Sequence, residues 1–390
     1  MNNDFIHTFA LSYRDSFENI MDLTKNITFI KMDGIYTCTD YCPFGITIYS
    51  LPCPNECRDG KGNHKLLLKV NPSRLVDSET YSNKIEDYSD LSAAIDNLNI
   101  MISNMFPSLI LNDFKLVRLD ITRDIRLIPE PIIQEYILLM RTMTLGYGCK
   151  HNTELEENTE DFRIEDSFNV VNNSQGVEFV VYNKHRAAVD QEYPKRVRKY
   201  YKNTMRVEIR LNRRSIRKHA SYLDTDEAIF YFYNNREMIF KDFYSGIFKY
   251  PTDLCFVSSD WQERFIHRAY PDSAKERKMT KIILSIIDDR KDMDRYSYET
   301  YHTKKSKIKK LSPFSKLGFS PIPLINEKIS FLSSLDTVLG FNFHEGNEME
   351  KNIDTDSKKL NDEQKENIIY HKIKHSKGRK KVMFYVGNEF

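Results

Sequence analysis

Three short stretches constrain this chain more than any other feature: VRLDITRD (117–124), VEFVVYNK (177–184) and MRVEIRL (205–211). Successive side chains of a β-strand point to opposite faces, so residues two apart share a face. Read that way, Arg118, Asp120, Thr122 and Asp124 stand on one face, with Val117, Leu119 and Ile121 on the other. Arg206, Glu208 and Arg210 oppose Met205, Val207, Ile209 and Leu211, while Glu178, Val180, Tyr182 and Lys184 share a face of the third stretch. A chain built this way packs one sheet face on a core and keeps ionisable groups on the other. If the three strands are neighbours, Asp120, Glu208, Tyr182 and Lys184 converge. The alternative is the solvent side of a half-exposed sheet.

The surrounding sequence supplies the rest of such a layer. Strands are expected at 27–37, around the Asp33-Gly34 turn, at 45–51 and at 65–70. Residues 89–105 repeat apolar positions at 91, 94, 95, 98, 101, 102 and 105, the spacing of a helix that starts at Ser89 or Asp90 and stops before Pro107. Residues 129–143 open on proline and read as a second helix. The order predicts an α+β fold: a central, mostly antiparallel sheet with helices on one face. After about residue 220 the pattern turns helical, at 225–243, 273–290 and 322–338. The expected organisation is a catalytic domain over 1–220, a helical region over 221–340 and a polar, mobile tail over 341–390.

Charge points to the partner. The formal net charge is only +2, yet residues 195–218 hold eleven Lys and Arg and one acid, Glu208. Lys195, Arg196, Arg198, Lys199, Arg206, Arg210, Arg213, Arg214 and Arg217 are its candidates for nucleic-acid contact, and KKSKIKK (304–310) is a second basic run. Such blocks suit a polyanion, although any single run also suits a solvated face. No 18-residue apolar stretch is present. The opening MNNDFIHTFALSYRD has charges where a secretory signal needs apolar residues, so a cytoplasmic protein of a bacterial host is expected, with no membrane partner.

The converging set has a chemical use. Two carboxylates, Asp120 and Glu208, are candidate ligands for Mg²⁺ or Mn²⁺, which prefer oxygen donors. A metal polarises a phosphodiester. The Tyr182 hydroxyl can then attack phosphorus and form a phosphotyrosine, with Lys184 and arginines balancing the phosphate charge.

These landmarks occur in an order that resembles the phage and plasmid replication initiators typified by the filamentous-phage gene II endonuclease. They are KLLLKVNPSRL (65–75), the helix 89–105, LVRLDITRDI (116–125), the following helix, GVEFVVYNKH (176–185), MRVEIRLNRRSIRK (205–218) and KLGFSPIPL (316–324). The resemblance spans roughly residues 25–340. It implies a rolling-circle nickase that cuts one strand of origin DNA, remains linked to the 5′ phosphate and rejoins the strand later. Tyr182 then matches the nucleophile, Lys184 and His185 the residues after it, and Asp120 and Glu208 the acids of the flanking strands. Duplex and single-stranded origin DNA would be the substrate, with a host helicase or polymerase as further partners. The chain departs from many rolling-circle nickases in having ten His but no His-x-His, so a metal here must rest on carboxylates. Tyr200 and Tyr201 are a second tyrosine candidate. A non-cutting DNA-binding regulator on the same scaffold is the alternative function.

Cys38, Cys42, Cys53 and Cys57 fall in two pairs with three residues between the members of each. In a reducing compartment this spacing suggests a structural zinc over residues 38–57. Such a site would contribute on the order of 10 kcal/mol to folding of that lobe.

Overall fold

The computed structural model describes residues 4–32, 35–52, 63–77, 85, 87–126, 128–143, 145–152, 167–248, 252–271, 273–291, 319–320, 322–324, 326, 328–329 and 331–340. Cys53, Cys57, the basic run 304–310 and the tail 341–390 lie outside them.

The strands are β1 (Asp4–Asp15), β2 (Ile30–Met32), β3 (Ile35–Cys38), β4 (Ile46–Pro52), β5 (His64–Val70), β6 (Lys115–Ile125), β7 (Lys150–His151), β8 (Ser167–Asn172), β9 (Val177–Asn183), β10 (Met205–Asn212), β11 (Phe256–Val257) and β12 (Phe331–Leu332). The helices are α1 (Phe17–Leu23), α2 (Pro72–Val76), α3 (Tyr88–Met105), α4 (Glu130–Thr142), α5 (Lys184–Asp190), α6 (Lys195–Tyr200), α7 (Arg213–Ala220), α8 (Thr225–Asn234), α9 (Arg236–Ile247), α10 (Ser259–Ala269), α11 (Ala274–Lys291) and α12 (Leu335–Val338). The fold is α+β.

The chain divides into two compact units: residues 1–133 with 147–247, and residues 134–146 with 248–390. The first holds a ten-stranded sheet in the order β2-β3-β4-β5-β1-β6-β10-β9-β8-β7, antiparallel at every pairing. The two central strands, β1 and β6, pair with two shifts of register, between Ile6 and Thr8 and between Ala10 and Leu11. Such shifts re-aim side chains locally. Leu119, Ile121, Val207, Ile209, Phe179 and Val181 are all buried on the apolar face. Helix α9 packs there: Phe240 lies 4.7 Å from the Arg123 guanidinium and the Tyr244 ring 6.2 Å from that of Phe179. Helix α3 carries its apolar stripe of Leu91, Ala94, Ile95, Leu98, Ile102 and Met105 fully inward, with Asp87 capping its first turn.

The other face is not solvated at its β9–β10 end. There α5 and α6 fold back over it, Ala187 against Val180 and Tyr182, and Ala188 against Val197 and Tyr201. Helix α6 is bracketed by two non-glycine residues with left-handed backbone, Glu192 (φ 52°) and Asn203 (φ 57°). In the second unit, β11 pairs with β12, and Cys255 and Ser258 make parallel bridges to Phe319 and Leu324.

Two expectations change. The helix expected over 225–243 is two helices, divided where Asn235 caps α8. Residues 322–338 do not form one helix: Leu324 is bridged, 331–332 is a strand, and among the described residues of this stretch only 335–338 is helical.

Candidate functional site

Register decides which side chains meet. On β10, Arg206 pairs with Tyr182 of β9 and Asp124 of β6; Glu208 with Val180 and Thr122; and Arg210 with Glu178 and Asp120. The three strands bring Tyr182, Glu208, Arg206, Arg210, Asp120 and Asp124 onto one face, as the alternation predicts.

The Tyr182 hydroxyl donates to Glu208 Oε1 at 2.7 Å. Glu208 Oε2 accepts from Arg210 Nε at 2.9 Å and Nη2 at 2.8 Å. Arg210 also reaches Glu178 at 3.5 Å. One turn of the pleat away, Arg206 makes a two-pronged pair with Asp124, at 2.6 and 2.9 Å, with both side chains buried. Arg206 Nη1 lies 3.2 Å from His7 Nε2. An arginine can only donate, so this nitrogen of His7 accepts. Burial and then the Arg206 charge hold His7 well below the usual imidazole range, in keeping with a neutral ring.

Burial tends to raise the Glu208 carboxyl, but Arg210 and Arg206, with the Tyr182 hydroxyl, overturn it and hold it well below the usual carboxylate range. Tyr182 moves the other way. Burial and the Glu208 charge push its phenol well above 10, against the pull of Arg206.

Lys184 opens α5, whose N-cap is Asn183, and is 4% exposed. Its ammonium nitrogen lies 5.1 Å from the Tyr201 ring centre, 5.5 Å from Tyr193 and 5.8 Å from Tyr182. No carboxylate within ion-pair reach faces it among the described residues. Burial, then the charge of Arg206, lowers it to about 7. A lysine in this state exchanges a proton near neutrality.

Asp120 is placed differently from its expected role. Arg118 Nε and Nη2 hold its two oxygens at 2.8 and 2.9 Å, and Thr8 Oγ1 donates to it at 2.6 Å. Asp120 pairs with Arg210, two residues along from Glu208, and no group of three or more His, Cys, Asp or Glu converges among the described residues. With all four oxygens of Asp120 and Glu208 engaged by arginine, threonine or tyrosine donors, the pair does not fit a divalent ion in this arrangement. The alternation puts both acids on one face, and it also puts Arg118 beside Asp120 and Arg210 beside Glu208, two residues away on the same strands.

The other expected residues lie as follows. Tyr201 is buried over Arg206, 5.4 Å from its guanidinium, and burial raises its phenol. Tyr200 is partly exposed and stacks on Arg126 at 4.1 Å. Lys195, Arg196 and Lys199 are exposed on α6, where Arg198 is half-buried. Arg213, Arg214 and Arg217 stand on α7. Cys38 is buried and Cys42 half-buried, both as free thiols, and Cys42 Sγ lies 3.2 Å from Thr47 Oγ1. His7, Thr8 and Tyr193 join the site without having been marked by any motif. Their signal is the apolar run of β1, broken at His7-Thr8, and the aromatic just before Pro194.

No family model matches the chain, and no curated protein matches it. Among solved structures it is similar to a rolling circle replication initiator protein from Geobacillus stearothermophilus, at 10% identity and a TM-score of 0.26, over 54% of this chain and 75% of that one. A likeness that weak carries no argument about activity. Among the described residues, no helix is long and apolar enough to cross a membrane.

Proposed function

We propose that this protein is a DNA strand-transfer enzyme of the rolling-circle initiator kind, with Tyr182 as its nucleophile. The observation that carries the reading is the 2.7 Å hydrogen bond from Tyr182 to Glu208, between Arg206 and Arg210 on one sheet face. In the step we draw, Tyr182 Oη bonds to phosphorus and its proton leaves along the Glu208 hydrogen bond to water. The bond from phosphorus to the 3′ oxygen breaks, and that oxygen takes a proton from water. Lys184, Arg206 and Arg210 balance the charge that builds on the phosphoryl oxygens. Rejoining runs the same step backwards. Mg²⁺ or Mn²⁺ would supply further charge, but Asp120 and Glu208 would first have to release Arg118 and Arg210, so no step here depends on a metal.

Tyr182 is 4% exposed, so the reaction requires α5 and α6 to lift. The left-handed Glu192 and Asn203 at the ends of α6 are natural places for that movement, since a glutamate there is strained. The exposed Lys195, Arg196 and Lys199 would draw DNA to the same segment.

A second reading has its own observation. The buried tyrosine and the fully paired carboxylates also suit a sheet face closed for stability, in a regulator that binds origin DNA without cutting it. The deciding experiment incubates the protein with supercoiled plasmid and single-stranded oligonucleotides from its genetic neighbourhood, with Mn²⁺ or with chelator, beside Tyr182→Phe. A protein–DNA adduct on a denaturing gel that disappears in the variant supports the nickase. An adduct that survives moves the nucleophile to Tyr200 or Tyr201. DNA binding with no adduct on any substrate favours the regulator.

A further inference from the structure

At the far end of β10, the chain turns through Asn212 into α7 beside a cleft of about 560 Å³ lined by Val117, Asn212, Arg213, Arg214 and Arg217. Arg206 and Asn212 are six positions apart, roughly 20 Å along a strand at about 3.4 Å per residue. The cleft therefore lies well away from Tyr182 itself, at the end of the sheet face where Arg118 and Arg210 stand.

Its walls are fixed by hydrogen bonds and a close backbone approach. Asn212 Oδ1 caps the Arg214 amide at 2.9 Å. Arg214 Nη1 donates to the carbonyls of Asn173 and Ser174, at 2.8 and 3.4 Å, which ties α7 to the β8–β9 turn. Gly176 in that turn has φ 71°, and a Cβ there would stand 2.1 Å from Asn212 Oδ1. Only glycine lets the turn lie this close.

The charge of α7 is not balanced within the helix. Helix α7 contains Arg213, Arg214, Arg217 and Lys218 and no acid. Arg213 and Arg214 occupy the first turn, where the helix dipole disfavours cations. Arg217 is exposed and has no hydrogen-bond or ion-pair partner among the described residues. An anion in the cleft would offset both the dipole and the mutual repulsion of the arginines, and planar guanidinium groups match phosphate oxygens in pairs.

We infer that this cleft is a phosphate-binding subsite for a nucleic-acid backbone, with Arg217 as its free contact and Arg214 as its positioning residue. The inference rests on the nucleic-acid part of the function proposed above, and it does not need the chain to cut.

The test uses the full chain carrying Tyr182→Phe, with Arg217→Ala and Arg217→Lys added separately. Binding to a fluorescent duplex of mixed sequence is followed from low to high salt. Arg217→Ala should reduce the slope of log affinity against log salt by about one unit, the loss of roughly one phosphate contact, while Arg217→Lys retains it. An unchanged slope in a folded Arg217→Ala protein overturns the subsite. So does competition by polyglutamate as effective as by DNA of equal charge. A reduced slope in a protein whose Tyr182 form yields no adduct would sink the nickase and leave the subsite standing. A Tyr182-dependent adduct with an unchanged slope would do the reverse.

Discussion

Tyr182 on β9 and Glu208 on β10 are joined by a 2.7 Å hydrogen bond on a face where arginines hold both Asp120 and Asp124. Tyr182→Phe removes one donor and leaves Glu208 still paired with Arg210. Its expected cost is about 1–3 kcal/mol, the usual range for a buried acceptor that loses a partner. Glu208→Gln removes the charge that Arg210 answers and should cost more, about 3–5 kcal/mol, as when a buried pair is broken. Urea midpoints of the two variants check the order. A Tyr182→Phe loss larger than that of Glu208→Gln would mean that the ring packing, not the carboxylate, holds this face together.

Lys184 gives the fold a pH dependence with a defined sign. Its ammonium falls to about 7 in the folded state, against 10.5 when exposed. Between those values the unfolded chain binds the proton and the folded chain does not, so stability rises with pH. Lys184→Met lacks this contribution. The gain of Lys184→Met over the native chain should be greatest near pH 6–7. It should shrink as pH rises, approaching about 1.4 kcal/mol per unit at the steepest. Denaturant titrations of both proteins from pH 6 to 9 test it. A constant difference would show that Lys184 keeps its charge among the three tyrosines.

Much of this site is legible in the sequence, and the unread part has physical reasons. β6, β9 and β10 are readable because each alternates one polar and one apolar face. β1 is not, although it lies between β5 and β6 at the centre of the sheet. Its burial follows no clean period because of the two register shifts, which also hide His7 and Thr8 from any pattern. Residues 195–218 read as a basic segment from their charge, while α5 and α6 are held down by small and aromatic residues such as Ala187, Ala188, Val197 and Tyr201, which carry no charge. Asp120 and Glu208 share a face by alternation, but strand spacing says nothing of register. Register sets Asp120 opposite Arg210 rather than Glu208, while the arginines that occupy the two acids, Arg118 and Arg210, stand two residues away on the acids' own strands.

That arrangement predicts how the DNA-free protein treats divalent metal. Mn²⁺ added alone would have to displace Arg118 from Asp120 or Arg210 from Glu208. Arg118 is the weaker hold, with its side chain 44% exposed. A millimolar addition of Mn²⁺ should therefore leave the melting temperature of the free protein unchanged through these residues. The measurement is a thermal melt with and without Mn²⁺ for the native chain, Asp120→Asn and Glu208→Gln. A stabilisation present in the native chain and absent from both variants would reassign the two acids as a metal site.

The pair of Arg206 and Asp124 offers the sharpest separation of structure from chemistry. Both side chains are buried, their two hydrogen bonds are 2.6 and 2.9 Å long, and His7 and Tyr201 close the remaining sides of the guanidinium. Asp124→Leu leaves a buried cation without its partner and should cost about 3–5 kcal/mol. Arg206→Met strands the carboxylate and should cost a similar amount. The double variant Asp124→Leu with Arg206→Met removes both charges and should cost much less than the two single losses added, because neither desolvated ion is left behind. If Arg206 serves only the fold, that double variant should regain both stability and adduct formation. If Arg206 also meets the phosphate at Tyr182, stability should return while the adduct rate stays depressed. A double variant whose cost equals the sum of the singles would show that the two groups act independently, against the paired geometry.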